Sequence, residues 1–143
     1  FNNAAVSLAF DASCFNEDTK ILCYKNDNEL YVPIQDLRKG DLVKTYLHGY
    51  KKIDLIGKSH MRNRSTMKWT NNMFIMYKTP ENDLTEDLIM TGGHSILVDQ
   101  FTKEDFIEER NSYYELLKSN PWTIDEKHLL PVGTLKAFQE IQQ

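Results

Sequence analysis

The sequence predicts an all-β fold with one inserted helix. Over the first hundred residues, short runs of β-branched, aromatic and aliphatic residues alternate with clusters of Asn, Asp, Gly and Pro. This is the pattern of many short strands joined by tight turns. Helical spacing of apolar residues is found in one later segment, residues 103–118. At 143 residues the chain is long enough to bury one core, so a single globular domain is expected.

Two hairpins open the predicted order of strands. TKILCYK is followed by the turn-forming cluster NDNE and then by LYVPI, which can return as its hairpin partner. LRKGDLVKTY repeats this pattern, with Gly40 available for a positive φ angle, and His48-Gly49 offers a turn before YKKIDLIGK. Further strands are predicted at MFIMYK, EDLIMT, HSILVD and KHLLPVG.

The predicted helix covers residues 103–118 and follows Thr102, where TKED has the form of a capping box. The side chains that recur at helical spacing are Phe106, Arg110, Tyr113 and Leu117. The helix is expected to end before Asn120-Pro121, because the residue ahead of a proline avoids the α region. The tail TLKAFQEIQQ is polar and is predicted to fray.

Composition argues against several classes of protein. A net charge of -4 and a pI near 5.5 disfavour a general nucleic-acid binder, which presents a clustered basic face, so no nucleic-acid partner is expected. No apolar run approaches the ~20 residues that cross a bilayer, so no membrane partner is expected either. The opening FNNAAVSLAF lacks the features of a secretory signal. The compartment stays open, and an intracellular one is favoured.

The cysteines and histidines do not form a metal-binding pattern. Cys14 and Cys23 are too few for a disulfide framework and are interpreted as reduced thiols, with Cys23 in the core beside Ile21. No two of these side chains have the close spacing of structural zinc ligands, so neither a metal nor another cofactor is expected. His48 and His60 are assigned to solvated turns, and His128 is assigned to a strand edge.

Three segments follow one another in a distinctive order. CFNEDTKIL begins at Cys14, YVPIQDLRKGDLVKT has an Ile-x-x-Leu-x-x-Gly-Asp-x-Val core, and LIMTGGHSILV carries Thr-x-x-His. In this order and spacing they resemble the Hint superfamily, which contains inteins and the autoprocessing domains of Hedgehog proteins. The stretch LRKGDLVKTYLHGYKKIDLIGK is similar to eukaryotic and viral Hint domains in particular. The resemblance extends from Cys14 to Gly133.

The resemblance implies a horseshoe of short strands and an autocatalytic role for Cys14, whereas a lone cysteine is more simply a buried structural thiol. The thiol would attack the Ser13 carbonyl through a five-membered ring, giving a thioester and freeing the α-amine. The resemblance assigns Thr91 to hold the scissile amide and His94 to protonate the Cys14 nitrogen, a task that suits imidazole near neutral pH. The two glycines between them are expected to let the turn bring both groups together.

The end of the sequence departs from the family pattern. A complete intein ends with further strands and with a His-Asn pair before a second nucleophile, whereas this sequence ends in AFQEIQQ. The resemblance therefore implies an N-terminal flanking segment, residues 1–13, and a Hint domain, residues 14–143, that lacks its C-terminal strands. Missing strands expose unpaired edges, so a complementary C-terminal intein fragment is the expected partner.

Three functions stay open at this point. The first is protein splicing in trans, a single-turnover autocatalytic rearrangement that starts with an acyl shift at the Ser13-Cys14 bond. The second is Hint autoprocessing without ligation, in which water, a thiol or a sterol alcohol takes the acyl group from Cys14. The third is a non-catalytic β module used for binding.

Overall fold

The computed structural model describes residues 13–60, 62–64 and 68–141, and most of the predicted flanking segment, residues 1–12, lies outside the described residues. The described part of the chain contains three antiparallel sheets and one α-helix, which agrees with the predicted all-β fold. The strands are β1 (Lys20–Lys25), β2 (Asn28–Pro33), β3 (Leu42–Thr45), β4 (Gly49–Lys52), β5 (Met73–Met76), β6 (Leu88–Thr91), β7 (Ser95–Val98), β8 (Thr123–Ile124), β9 (Lys127–Pro131) and β10 (Gln139–Glu140).

The chain divides into two compact units, although the sequence suggests one domain. One unit is Phe15–Met61, and the other combines Cys14 with the residues from Arg62 onward. Cys14 therefore belongs to the same unit as β5 to β10, not to the unit that follows it directly in sequence. The boundary predicted at Cys14 between flanking segment and Hint domain stays a prediction.

The unit Phe15–Met61 is a four-stranded sheet of order β2-β1-β3-β4. The predicted hairpin of β1 and β2 is present and closes over Asn26-Asp27, whose φ angles of 51° and 63° are those of a two-residue hairpin turn. Gly40 has the expected positive φ, at 92°. Cys23, Val32 and Leu37 form the buried core of the sheet, so the prediction of a structural Cys23 is confirmed.

The second unit contains two three-stranded sheets, of order β10-β5-β6 and β7-β9-β8. Its buried apolar side chains include Phe74, Ile75, Met90, Phe106, Leu117, Leu130, Val132, Leu135 and Phe138. His128 is the second residue of β9, so it lies near the end of its strand, as predicted. The short strand β8 pairs Thr123 with His128, on the side of β9 away from β7.

The helix is shorter than the predicted range 103–118. Between residues 103 and 119, only α1, Ser112–Ser119, is α-helical, and 3-10 turns at Lys103–Asp105 and Glu108–Arg110 precede it. The capping box is present, but it opens a 3-10 turn, because Phe106 pairs with Leu135 in an isolated antiparallel bridge. That pairing holds the Phe106 backbone extended, with φ -100° and ψ 142°, so a helix cannot pass through it.

The end of α1 at Ser119 agrees with the expected stop before Asn120-Pro121. No helix within the described ranges is long and apolar enough to span a bilayer.

The predicted fraying of the tail is wrong for residues 134–141. Phe138 is 4% exposed, and β10 pairs with β5 through Gln139 and Ile75. The sequence around β10 is polar because this strand has only two residues and lies at the outside of its sheet. Burial of Leu135 and Phe138, together with the pairing of β10 with β5, holds the segment in place.

Candidate active site at Cys14

Thr91 and His94 lie at the two ends of the turn that leads from β6 to β7. The His94 N–H donates to the Thr91 carbonyl over 2.9 Å, which closes a four-residue turn. Since β6 and β7 belong to different sheets, this turn carries the chain from one sheet to the other. Thr91 is fully buried and His94 is half-buried. The turn thus carries a buried hydroxyl at one end and a half-buried imidazole at the other.

Backbone hydrogen bonds anchor this turn from the segment before β5. The Asn72 carbonyl accepts from the Gly92 N–H over 2.8 Å, and the Thr70 carbonyl accepts from the Gly93 N–H over 3.0 Å. Both middle residues of the turn are therefore hydrogen-bonded to residues 70–72, so the turn has little freedom to change shape.

Gly92 is needed for space, Gly93 lies in a tight space, and neither is needed for an unusual backbone angle. Neither has a positive φ. A Cβ on Gly92 would lie 2.4 Å from the Trp69 carbonyl oxygen and 2.6 Å from Cε1 of Phe74. A Cβ on Gly93 would lie 3.2 Å from the Thr70 carbonyl oxygen. The expectation that glycine matters here holds, but the reason is close approach of other chain segments.

Cys14 is joined to Thr91 by a pair of hydrogen bonds. The Cys14 N–H donates to Thr91 Oγ1 over 3.0 Å, and the Thr91 N–H donates to the Cys14 carbonyl over 3.0 Å. The nitrogen in the first bond is the amide nitrogen of the Ser13-Cys14 linkage. Cys14 is half-buried and Ser13 is exposed, so the linkage lies where the interior of the unit meets solvent.

The environment of His94 favours a neutral imidazole. Burial lowers the pKa of His94 below its ordinary value of 6.5, and a hydrogen bond to the Cys14 backbone acts in the opposite direction. Because that bond raises the pKa, the ring is its donor, and the Cys14 carbonyl is the backbone group that can accept. Burial is the larger cause, so His94 is uncharged at neutral pH.

The structure thus brings Cys14, Thr91 and His94 together, as the sequence analysis expected. Cys23 belongs to the core of the unit Phe15–Met61. Within residues 13–60, 62–64 and 68–141, no three His, Cys, Asp or Glu side chains are grouped so that they could hold a metal ion. The arrangement offers a thiol, a hydroxyl bonded to an amide nitrogen, and a neutral imidazole, which are groups suited to acyl transfer.

Sequence reasoning missed the side chains that support the turn. Asn72 is 2% exposed, and its side-chain amide donates to the Arg64 carbonyl over 3.0 Å and to the Glu140 carboxylate over 2.7 Å. It therefore ties β10 and residue 64 to the segment that anchors Gly92. In the sequence, WTNN indicates only a turn before a strand, so no local signal marked Asn72.

Trp69 and Arg110 were missed for a similar reason. The Arg110 guanidinium carbon lies 4.8 Å from the centre of the Trp69 ring. Arg110 was predicted on a helix face, where its spacing with Phe106 suggested packing and gave no sign of a partner 41 residues earlier.

Comparison of the chain with family models, with curated proteins and with solved structures found no match.

Proposed function

We propose that the chain is an intein-like Hint domain that begins protein splicing with an N-to-S acyl shift at the Ser13-Cys14 bond. The observation that carries this proposal is the pair of hydrogen bonds between Cys14 and Thr91, residues 77 positions apart, with His94 bonded to the same backbone. Such contacts support a reactive linkage held in a fixed geometry, which a plain structural thiol does not need.

The reaction balances without a co-reactant. The Cys14 sulfur attacks the Ser13 carbonyl carbon through a five-membered ring, and the tetrahedral intermediate collapses when the carbon–nitrogen bond breaks. A thioester forms on the Cys14 sulfur and a free α-amine forms on the same residue. The thiol loses one proton and the departing nitrogen gains one, so the step needs only a group that carries a proton.

His94 is the group that we assign to carry this proton. Since burial keeps the imidazole neutral, it can accept the thiol proton and then, as imidazolium, give a proton to the Cys14 nitrogen. The ring donates to the Cys14 carbonyl in the resting geometry, and the amide nitrogen of the same residue is only one Cα away. The imidazole is therefore bonded to the same residue whose nitrogen must be protonated.

Thr91 holds the linkage in place. Its two hydrogen bonds, one to the nitrogen and one to the carbonyl of Cys14, restrict the backbone on both sides of the Cys14 Cα. Fixing the geometry before the reaction lowers the activation free energy of the acyl shift, because the orientational entropy is already lost in the folded state. The Thr91 hydroxyl is also the group in contact with the nitrogen as that atom becomes an amine.

The proposal includes a Hint horseshoe and a second chain. Later steps, which are transfer of the acyl group to a second nucleophile and cyclisation of an Asn, are assigned to a complementary C-terminal intein fragment. β10 is an outer strand of its sheet, and an outer strand can accept a further strand through its backbone groups.

Mass spectrometry after treatment with dithiothreitol or hydroxylamine tests the acyl shift. Either reagent should cleave a thioester at Cys14 and release residues 1–13, with the new end at Ser13. Cys14→Ala should abolish release, while the matched variant Cys23→Ala should retain it, since Cys23 packs in the other unit. Thr91→Val should slow release about tenfold or more, because the Cys14 N–H loses its acceptor. Release from Cys14→Ala at the wild-type rate refutes the proposal.

A second measurement separates splicing from the other functions considered. Ligated product after mixing with a C-terminal intein fragment supports splicing in trans, whereas release without ligation supports Hint autoprocessing. A chain that stays intact under both reagents, with circular dichroism showing it folded, supports the non-catalytic β module.

A further inference from the structure

We propose that Arg110 is a positioning residue for His94, acting through the Trp69 ring and the backbone of residues 132–133. The inference rests on the proposed role of His94 in the acyl shift. Arg110 ends the 3-10 turn Glu108–Arg110 and is half-buried. It belongs to none of the three segments that resemble the Hint superfamily, and it lies 16 residues beyond His94 in sequence.

The Arg110 guanidinium connects two segments of chain by two different contacts. Its carbon atom lies 4.8 Å from the centre of the Trp69 ring, and its Nη1 donates to the Gly133 carbonyl over 2.8 Å. Tyr113 adds an edge contact to the same ring, at 5.6 Å between ring centres. A planar, permanently charged group can stack on an aromatic face and donate in its own plane at the same time, so this arrangement suits arginine.

The Trp69 ring lies directly against Gly133. A Cβ on Gly133 would be 2.4 Å from Cε3 of Trp69 and 3.0 Å from the Cα of Gly92. The Gly133 N–H donates to the Gly92 carbonyl, and the Val132 N–H donates to the His94 carbonyl, each over 2.9 Å. The segment that Arg110 holds in place is therefore the segment that holds the turn and His94.

Loss of the guanidinium should loosen this arrangement in a defined way. Without Arg110, the Gly133 carbonyl loses its donor and the Trp69 ring loses the group stacked on it. The turn that carries His94 then has more freedom, so water can reach the imidazole more easily. Better hydration of the charged form should bring the pKa of His94 back toward its ordinary value, and poorer placement of the ring should slow the acyl shift.

Two readouts on the full chain test the inference. Arg110→Ala should slow thiol-induced release of residues 1–13 about tenfold, because misplacement of a catalytic group by a fraction of an ångström has effects of this order. An NMR titration of the His94 ring should show a pKa higher than in the wild type. Arg110→Lys should give an intermediate result, since lysine keeps the charge and loses the planar fork.

Lys118→Ala is the matched control. The Lys118 ammonium lies 5.6 Å from the centre of the Tyr114 ring, so this variant also removes a cation from an aromatic face. Lys118 is exposed in the last turn of α1. We therefore expect the release rate and the His94 pKa to match those of the wild type.

The proposal is overturned if Arg110→Ala has the wild-type release rate and the wild-type His94 pKa. It is also overturned if the variant only melts earlier, with both readouts unchanged at a temperature where it is folded. Should Arg110→Ala fail to fold, Arg110→Lys decides by the same two readouts. A wild-type chain that releases nothing refutes the proposed function, and the His94 titration then still decides whether Arg110 controls the surroundings of this ring.

Discussion

Thr91 is the residue on which the site depends most directly, and its partner could not be found from local sequence. Its side chain and its backbone N–H both bond to Cys14, which lies 77 positions earlier. Nothing in LIMTGGHSILV indicates a contact over that distance. Only the resemblance to a known family placed Thr91 near the linkage, and the fold then brought the two residues together.

His94 should make the stability of the protein depend on pH. Burial lowers the pKa of His94 below 6.5, so near pH 6 the unfolded chain binds a proton at this residue more readily than the folded chain does. Stability rises with pH wherever the unfolded state binds more protons. We therefore expect the free energy of unfolding to fall as pH drops below about 6.5, and to level off once folded His94 is protonated as well.

Urea denaturation at several pH values between about 7.5 and 5.5 checks this expectation, in a range above the titration of most carboxylates. His94→Gln should show a weaker dependence on pH than the wild type. His48→Gln, at an exposed position, should retain the wild-type dependence. An unchanged slope in His94→Gln would show that the pH dependence has another source.

At the scale of elements, the turn from Thr91 to His94 should tolerate no side chain at its second residue. In Gly92→Ala the new Cβ would meet the Trp69 carbonyl at 2.4 Å and the Phe74 ring at 2.6 Å. Neither can withdraw easily, because the first is backbone and the second is 3% exposed. We expect a loss of about 1–3 kcal/mol in the free energy of unfolding, measured with urea, as is usual for overpacked sites.

Gly57→Ala is the matched control for this substitution. Gly57 also has no positive φ, and a Cβ built there meets nothing within 4 Å. Its free energy of unfolding should stay within about 0.5 kcal/mol of the wild type, as for most surface changes. Equal effects of the two substitutions would mean that close approach is not the reason for glycine in the turn.

The helix shows where local pattern and long-range pairing compete. A capping box and helical spacing predicted a helix from residue 103, and both features are present in the chain. The bridge between Phe106 and Leu135, together with the bond from the Ile107 N–H to the Thr134 carbonyl over 2.9 Å, holds this stretch extended. Propensity is a weak preference per residue, so pairing with a distant segment overrides it.

At the scale of the whole molecule, the two units should lose their structure at different denaturant concentrations. In the unit Phe15–Met61 the buried core is Cys23, Val32 and Leu37. A small unit buries a smaller fraction of its surface and is less stable. Cys23 is 0% exposed, and burial raises the pKa of its thiol, so it should react with a disulfide reagent only after this unit opens.

In a Cys14→Ser variant the reagent reports on Cys23 alone, because Cys23 is then the only thiol in the sequence. Both tryptophans, Trp69 and Trp122, belong to the other unit, so their fluorescence follows the unfolding of that unit. The Cys23 reaction should appear at a lower urea concentration than the change in fluorescence. Coincident transitions would show instead that the chain unfolds as one cooperative unit.

The sequence by itself determined the all-β class, the first hairpins, the buried Cys23 and the positive φ of Gly40, because each of these depends on residues near one another in the chain. Alternation, turn residues and glycine geometry act over a few positions, and they can be recognised there. Only the tertiary structure showed the hydrogen bonds that join Cys14 to Thr91, the contacts of Asn72 and Arg110 with the segments around the turn, and the extended backbone of Phe106. These outcomes depend on contacts between distant segments, whose free energies appear only when the chain is packed, and no short stretch of sequence carries them.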